Sequence, residues 1–240
     1  MIDWLDDTLP PFFPDTHQAL DDPNGLLAAG GQVSPRWLDE AYRHGIFPWN
    51  DPDEVRLWWT PAPRAIITAD SFRVPRTVRK LIRRSQEAGH TISFNQAFAA
   101  VIEGCSAPRD YQQGTWIDED ILENYQRMQH AGRALSIEHW DARGELIGGC
   151  YGLLKGRVFF GESMFSRQPN ASKVAFGQAA PLLFAAGIRL IDCQMHTQHL
   201  AQFGAHEVSR QSFEGQLEQH SQQAFSLRLP ALLLSHERRP

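Results

Sequence analysis

The segment "LIDCQ", residues 190–194, begins as an apolar strand but carries two polar side chains. Because side chains alternate between the two faces of a strand, Asp192 and Gln194 are expected on one face with Leu190, and Ile191 on the other. A carboxylate beside an amide can handle protons or hold an amine. The ordinary alternative is a sheet face in contact with solvent, and the residue pattern leaves both interpretations open.

A second polar group stands in an apolar setting within "FFGESMFSRQPNASK", residues 159–173. Glu162 follows two phenylalanines and precedes Met164, and burying a carboxylate costs free energy unless a cation or hydrogen bonds satisfy it. One interpretation is an ion pair with an arginine of the chain itself. The other is a pocket with apolar walls and one acidic point, which would suit an apolar group next to an ammonium. Methionine adapts its shape to such ligands.

Two other kinds of chemistry are weighed against this pocket. Four neighbouring residues offer nitrogen and sulfur ligands for zinc: Cys193, His196, His199 and His206. Their spacing matches no known ligand framework, so we expect neither a metal nor another cofactor. A nucleophilic hydrolase would need the G-x-S-x-G turn, which the segment with Ser163 and Ser166 lacks.

Basic side chains are concentrated in one segment of an acidic chain. The formal net charge is −5, yet residues 61–90 carry seven basic and two acidic side chains, against three and eleven in residues 1–60. On a helix, four of these basic residues fall close to one stripe: Arg76, Lys80, Arg83 and Arg84. Such a stripe is either a solvated helix face or an anion site for polyphosphate or a nucleic-acid backbone.

Several tryptophans lie in segments rich in proline, glycine or aspartate rather than on predicted helices. They are Trp49, Trp58, Trp59 and Trp116. Core packing explains two or three of them. Rings near a basic stripe also suit unstacked bases, because stacking a base on an aromatic ring contributes about 1–3 kcal/mol.

Local signals predict the elements that position these residues. Ser34 and Pro35 begin a helix that Gly45 ends, whereas "DDPNGLLAAGGQVS" before it indicates turns. The proline-rich stretch at 60–63 suggests a hinge. We therefore expect a small N-terminal domain over residues 1–63 and a second domain over residues 64–240.

From residue 64 onward, strands and helices alternate and are followed by an antiparallel meander. An apolar helix comes next, expected to be kinked or broken at Pro181, then the strand at 190–194 and a short helix ending at Gly204. The order predicts an α+β (α/β-like) fold with a mixed sheet covered by helices.

The composition is typical of a globular protein in the cytoplasm. The chain has 240 residues, of which 42% are hydrophobic. No apolar run approaches the roughly 20 residues that cross a bilayer, and the sequence does not begin with the basic segment of an export signal. Three distant cysteines indicate no disulfide framework. We expect no membrane association and, from the acidic net charge, no binding to DNA.

Several motifs together resemble one family. The segments "PNGLLAAGGQVSPRWLDEAYRHGIFPW" and "WWTPAPRAII" are similar to its N-terminal part, and "GTWI", "GGCYG", "FFGESMFSRQPNASK" and "IDCQ" to its C-terminal part. From about Phe13 to Arg210 the chain resembles the leucyl/phenylalanyl-tRNA–protein transferases. These motifs are long and specific.

The resemblance implies an activity and a fold. Members transfer leucine or phenylalanine, and less readily methionine, from aminoacyl-tRNA to an N-terminal arginine or lysine of an acceptor protein, which marks the product for N-end rule degradation. Their second domain is similar to the GCN5-related N-acetyltransferases. The stretch "SRQPNASK" lacks the glycine-rich loop on which those acetyltransferases bind coenzyme A. A coenzyme A-dependent N-acetyltransferase and a non-catalytic binder of tRNA ends are the alternatives.

The resemblance also assigns residues; a monomer is the default expectation, since the sequence does not specify the oligomeric state. Asp192 and Gln194 match the catalytic motif, and it stays open whether Asp192 accepts a proton or only orients Gln194. Trp49 and Trp116 match residues that flank the terminal adenosine. The aminoacyl and acceptor pocket comprises Cys150, Glu162, Met164, Ser166 and Ile191. The surface facing the tRNA acceptor stem comprises Arg76, Arg79, Lys80, Arg83 and Arg84.

Overall fold

The computed structural model describes residues 2–50, 54–107, 116–223, 225–229 and 232–233. The first of its two sheets has four short strands in the order β1-β2-β4-β3. These are β1 (Asp3–Leu5), β2 (Leu26–Gly30), β3 (Phe47–Pro48) and β4 (Leu57–Trp59). Strand β1 is parallel to β2, and the other pairs are antiparallel.

Strand β2 corrects the prediction of turns in this segment. All five of its residues are buried, and Leu26 pairs with Trp59 of β4. Alanine and glycine favour strands weakly, so the local pattern indicated turns. Burial and pairing with a distant strand outweigh that weak preference.

The second sheet has eight strands in the order β11-β5-β10-β9-β8-β7-β6-β12. They are β5 (Arg64–Thr68), β6 (Thr91–Phe94), β7 (Ala134–Trp140), β8 (Leu146–Lys155), β9 (Val158–Ser166), β10 (Leu190–Gln194), β11 (His206–Val208) and β12 (Leu232–Leu233). Strands β9 and β10 are parallel, whereas the other pairs are antiparallel. The sheet is therefore mixed.

Seven α-helices accompany these sheets in the described ranges. They are α1 (Pro35–Arg43), α2 (Arg76–Glu87), α3 (Phe98–Ser106), α4 (Glu119–His130), α5 (Ala171–Ala185), α6 (Gln198–Ala201) and α7 (Arg210–Ser221). A 3-10 turn covers Thr16–Gln18. The predicted cap of α1 is present, because the Ser34 side chain accepts a hydrogen bond from the Trp37 N–H at 3.5 Å. Helix α5 runs through Pro181 without a break, and α7 was not predicted.

Helices cover both faces of the large sheet and enclose two apolar cores. One core joins α2 and α5 to the sheet, and includes Phe176 and Ile191. The other joins α3, α4 and α7 to the opposite face and continues into the N-terminal sheet, as far as Trp58. The mixed sheet covered by helices confirms the α+β class.

The predicted division at residue 63 falls between β4 and β5. Because one apolar core contains residues from both sides of this point, the two-domain boundary stays a prediction. In the part of the chain that the structure describes, no helix has the length and apolar character needed to span a membrane.

Candidate active site

A cavity of about 830 Å³ opens beside the carboxyl-terminal halves of the parallel strands β9 and β10. All seven residues predicted for the catalytic pair and the pocket border it: Cys150, Glu162, Met164, Ser166, Ile191, Asp192 and Gln194. Phe165 and Phe176 add apolar walls, and α6 contributes Leu200. The structure thus brings the predicted residues together, although their roles stay predictions.

The pairing of β9 with β10 explains this convergence. Asp192 lies opposite Phe160 in the parallel register, so Glu162 and Gln194 follow at the same end of the sheet. The predicted alternation is wrong at its end, because the register shifts between Asp192 and Gln194. Gln194 adopts a left-handed backbone with φ of 61°, which directs its side chain differently from a regular strand residue.

Asp192 is completely buried and forms an ion pair that the sequence analysis did not identify. Arg64 Nε donates to Asp192 Oδ1 at 2.8 Å, and Nη2 donates to Oδ2 at 2.6 Å. A charged residue at the start of the otherwise apolar strand "RAIIT" was the available signal for Arg64. Its partner could not be inferred, since the two residues are 128 positions apart.

Glu162 is held by two tyrosines rather than by the arginine considered above. Tyr42 of α1 donates to Glu162 Oε1 at 2.7 Å, and Tyr125 of α4 donates to Oε2 at 3.3 Å. Gln194 Nε2 donates to Oε1 at 3.4 Å. Both tyrosines lie on apolar helix faces, where a pattern of this kind indicates core packing, so sequence reasoning missed them.

The protonation of Glu162 follows from these surroundings. Burial raises its pKa to about 8, and the charge of Asp192 adds to the rise, whereas hydrogen bonds from Tyr42 and Tyr125 oppose it. The two tyrosine hydroxyl oxygens also lie 2.8 Å apart. Two hydroxyl protons cannot fill all three contacts. When the carboxyl is protonated, its proton completes the set by donating to one tyrosine oxygen, and that tyrosine then donates to the other. Glu162 can therefore exchange a proton near neutral pH.

Ser166 plays a structural part at the edge of the cavity. Its Oγ accepts the Ser172 N–H at 2.9 Å and donates to Ser172 Oγ at 2.9 Å. These contacts fix the first turn of α5 to the end of β9.

A second cavity of about 320 Å³ adjoins the first, and Trp49 and Trp116 both border it. Trp49 is 38% exposed and packs edge-on against Trp59, with ring centroids 5.4 Å apart. Trp58, in contrast, is fully buried, as expected for a core residue. Within the "GTWI" motif, residues 114 and 115 lie outside the described residues.

The predicted basic surface is the solvent face of α2. All five of its side chains are exposed: Arg76, Arg79, Lys80, Arg83 and Arg84. A hollow of about 340 Å³ separates Lys80 and Arg84 from Asn170 and Lys173 near the start of α5. Ser172, next to Lys173 at the start of α5, borders the large cavity. The basic surface and the cavity therefore approach each other at the start of α5.

Comparisons with known proteins identify the class. A family model described as leucyl/phenylalanyl-tRNA protein transferase matches residues 66–218, and the model of its N-terminal domain matches residues 31–62. The chain is thus an enzyme of the aminoacyltransferase class. It belongs to the leucyl/phenylalanyl-tRNA–protein transferase family.

Curated relatives support this membership over nearly the whole chain. The leucyl/phenylalanyl-tRNA–protein transferase of Pseudomonas fluorescens (strain SBW25) is 48% identical over 93% of this chain and 96% of its own length. The protein with the same name from Azoarcus sp. (strain BH72) is 49% identical over 91% and 90%. The family resemblance noted in the sequence is therefore confirmed.

Similar solved structures are far more distant in sequence. L-PGS from Bacillus licheniformis is 13% identical with a TM-score of 0.40, over 73% of this chain and 58% of that chain. A GCN5-related N-acetyltransferase from Sphaerobacter thermophilus is 14% identical with a TM-score of 0.37, over 78% and 58%.

Proposed function

We propose that this enzyme transfers leucine or phenylalanine, and less readily methionine, from aminoacyl-tRNA to the N-terminal arginine or lysine of an acceptor protein, marking it for N-end rule degradation. The continuity of the two cavities carries this proposal. Glu162, Cys193 and Gln194 border both of them. An apolar aminoacyl group in the larger cavity can thus be joined to an adenosine in the smaller one through an ester beside Gln194.

The chemistry requires orientation more than activation. The donor ester is already activated, and an α-amino group with a pKa near 7.7–8.0 is partly neutral at working pH. Holding amine and ester in line can supply about 7–11 kcal/mol of the barrier. Gln194, whose amide reaches Glu162, stands where it can contact the incoming amine. The amine proton leaves by way of water, a ribose hydroxyl or the Glu162 carboxylate.

The pocket walls account for the proposed donor range. A hydrophobic pocket separates side chains by only about 1–3 kcal/mol per methylene. Phe165, Phe176 and Met164 form walls of this kind, so leucine, phenylalanine and methionine are all expected to enter. Glu162 is one candidate for the negative charge that a basic acceptor residue requires, in its ionised form, which gains population as pH rises towards 8.

The exposed basic face of α2 supports contact with the acceptor stem. Phosphate contacts by arginine and lysine are insensitive to sequence and weaken as salt rises. We expect the enzyme to act as a monomer in the cytoplasm, where aminoacyl-tRNA is available. Trp49 and Trp116 are proposed to stack on the terminal adenosine.

A labelled transfer assay tests the function. The purified enzyme is mixed with tRNA carrying radiolabelled leucine and a peptide that begins with arginine, with the N-acetylated peptide as control. Label is expected only in the peptide with a free N-terminus. Acetyl-CoA consumption without label transfer would identify an acetyltransferase. Tight tRNA binding without transfer would identify a non-catalytic binder.

A further inference from the structure

The pair formed by Arg64 and Asp192 lies directly beneath the predicted reaction centre and is sealed from solvent. Arg64 is 1% exposed and Asp192 is 0% exposed. The two hydrogen bonds, at 2.8 and 2.6 Å, give the bidentate geometry that makes arginine–carboxylate pairs strong and directional. Removing either partner would leave the other as a buried, uncompensated charge.

The Asp192 carboxylate has no surface through which to contact a substrate amine. Oδ2 accepts from Arg64, and Oδ1 accepts both from Arg64 and from the Gln194 backbone N–H at 2.9 Å. Three donors thus surround a carboxylate that is 0% exposed. This geometry suits a fixed acceptor that holds a neighbour in place, rather than a base that exchanges a proton with the acceptor peptide.

The neighbour held in this way is Gln194, whose backbone is unusual. Its φ of 61° lies in the left-handed region, which is unfavourable for a residue with a side chain unless the surroundings stabilise it. The hydrogen bond from its N–H to Asp192 provides that stabilisation. In this conformation the side-chain amide reaches Glu162 at 3.4 Å and borders both cavities.

Arg64 is itself fixed by aromatic rings from two other parts of the chain. Its guanidinium carbon lies 5.1 Å from the ring centre of Phe47 in β3 and 4.6 Å from that of Phe213 in α7. Stacking of this kind orients the planar guanidinium. Strand β3, strand β5 and helix α7 therefore together determine where Asp192 and Gln194 lie.

We propose that Arg64 is a positioning residue for the transfer reaction: through Asp192 it fixes the left-handed backbone of Gln194 and so aims the Gln194 amide at the attacking amine. This inference rests on the proposed function. Asp192 then acts by position, and the proton of the amine leaves by another route.

A double-mutant cycle tests the link between Arg64 and Gln194. Arg64→Lys keeps the charge but cannot form the bidentate pair, so kcat is expected to fall roughly 100-fold. KM for aminoacyl-tRNA should stay within about twofold, because the binding walls are untouched. In a Gln194→Ala background, Arg64→Lys should change kcat by no more than about twofold. The matched control is Arg210→Lys, a neighbouring arginine that binds Thr60 instead of Asp192.

Two outcomes of the cycle would overturn the proposal. One is an unchanged kcat in Arg64→Lys. The other is a full, multiplicative loss when Arg64→Lys is added to Gln194→Ala, which would mean that Arg64 acts on the fold in general. A loss of similar size in Arg210→Lys would point to the same general effect.

A crystal structure of Arg64→Lys supplies a readout that does not depend on activity. Gln194 is expected to leave the left-handed region, and retention of its φ near 61° would contradict the proposal. If Arg64→Lys does not fold, Asp192→Asn serves, because its amide nitrogen opposes Arg64 Nη2 and breaks the bidentate pair. If the parent enzyme transfers no label, the proposed function fails, while these structures still decide the positioning claim.

Discussion

At the scale of single residues, the site consists of polar groups embedded in an apolar core. Glu162 shares its oxygens with Tyr42 and Tyr125, and Asp192 is enclosed by Arg64. Such burial is unfavourable unless each polar atom finds a partner. The two carboxyl groups have different partners: Asp192 is paired with the Arg64 cation, whereas Glu162 accepts hydrogen bonds from neutral tyrosine hydroxyls. Burial raises the pKa of Glu162 to about 8, and the neutral tyrosine donors oppose this rise only in part.

The raised pKa of Glu162 predicts a pH-dependent stability. In the folded protein the pKa is about 8, against 4.5 for the free carboxyl, so the folded state binds more protons between these values. The free energy of unfolding should therefore fall as pH rises through this range. Glu162→Gln, which stays neutral, should remove that fall. Urea unfolding of both proteins from about pH 5 to 8.5 measures it.

The control is Glu103→Gln, at an exposed position of α3. It should leave the pH dependence as in the parent. If Glu162→Gln and the parent lose stability equally with pH, the carboxyl is already ionised in the folded protein.

At the scale of elements, α2 is a helix with two different faces. Val78 packs in the core shared with α5, and the basic side chains point to solvent. So many basic side chains on one helix face are unfavourable without a partner, because like charges one turn apart repel each other. An exposed basic face of this kind on an acidic protein is consistent with an anionic partner.

Removing two of these charges should weaken tRNA contact selectively. Arg76→Ala with Lys80→Ala should raise KM for aminoacyl-tRNA more than KM for the acceptor peptide, and lower the salt slope by about 1 for each lost phosphate contact. Steady-state kinetics at several salt concentrations measure both effects. Arg127→Ala removes an exposed arginine from α4 and should leave both constants unchanged. Equal effects on the two substrates would contradict this assignment.

The bulge in the pairing of β8 with β9 places two glycines side by side, and substituting them should affect stability differently. Gly152 pairs with Gly161, and a Cβ on Gly152 would lie 2.0 Å from the Phe160 carbonyl oxygen. A Cβ on Gly161 would meet nothing closer than 3.5 Å. Gly152→Ala should thus lower the free energy of unfolding by about 1–3 kcal/mol. Gly161→Ala, its matched partner, should change it by roughly 0.5 kcal/mol or less.

Denaturant unfolding followed by circular dichroism measures both variants. Equal stability losses would mean that the backbone at Gly152 relaxes to admit a methyl group. The cavity beside β9 would then be less rigid than its close glycine packing indicates.

At the scale of the whole molecule, the N-terminal sheet and the large sheet build one site. Residues before the predicted boundary supply Tyr42 and Trp49, and Phe47 stacks on Arg64. Arg210 of α7 donates to Thr60 across the same boundary, at 2.8 Å to its carbonyl oxygen. The apolar core is continuous through this region, so the two parts depend on each other for stability.

This continuity predicts a single unfolding transition. Five of the seven tryptophans precede residue 64, so fluorescence reports mainly the N-terminal part, while circular dichroism reports the whole chain. The two curves should coincide in urea. Two separated transitions would show that the parts unfold independently and would favour autonomous domains divided at residue 63.

Much of the local structure could be predicted because its causes are local. The cap of α1 depends on Ser34, and its end on Gly45, which has φ of 70°. Each acts on neighbours within a few residues. Strand β2 and helix α7 escaped prediction, because their sequences have weak local signals and distant partners decide their conformation.

The candidate site was also predicted only in part. Motifs indicated which residues would gather, and all seven border one cavity. The motifs did not reveal Tyr42, Tyr125 or Arg64, nor the left-handed turn at Gln194. The contacts of Tyr42, Tyr125 and Arg64 join residues 37 to 128 positions apart, and the turn at Gln194 depends on the Asp192 carboxylate that Arg64 holds.

The sequence by itself determined the family, the α+β class and the identity of the residues that gather at the cavity, because each is encoded in contiguous motifs and periodic patterns. The tertiary structure alone decided how those residues are held: which carboxyl pairs with an arginine, which has a pKa raised by burial, and where the backbone becomes left-handed. Ion pairing, desolvation and strain depend on distances through space, and the order of residues along a chain does not specify them.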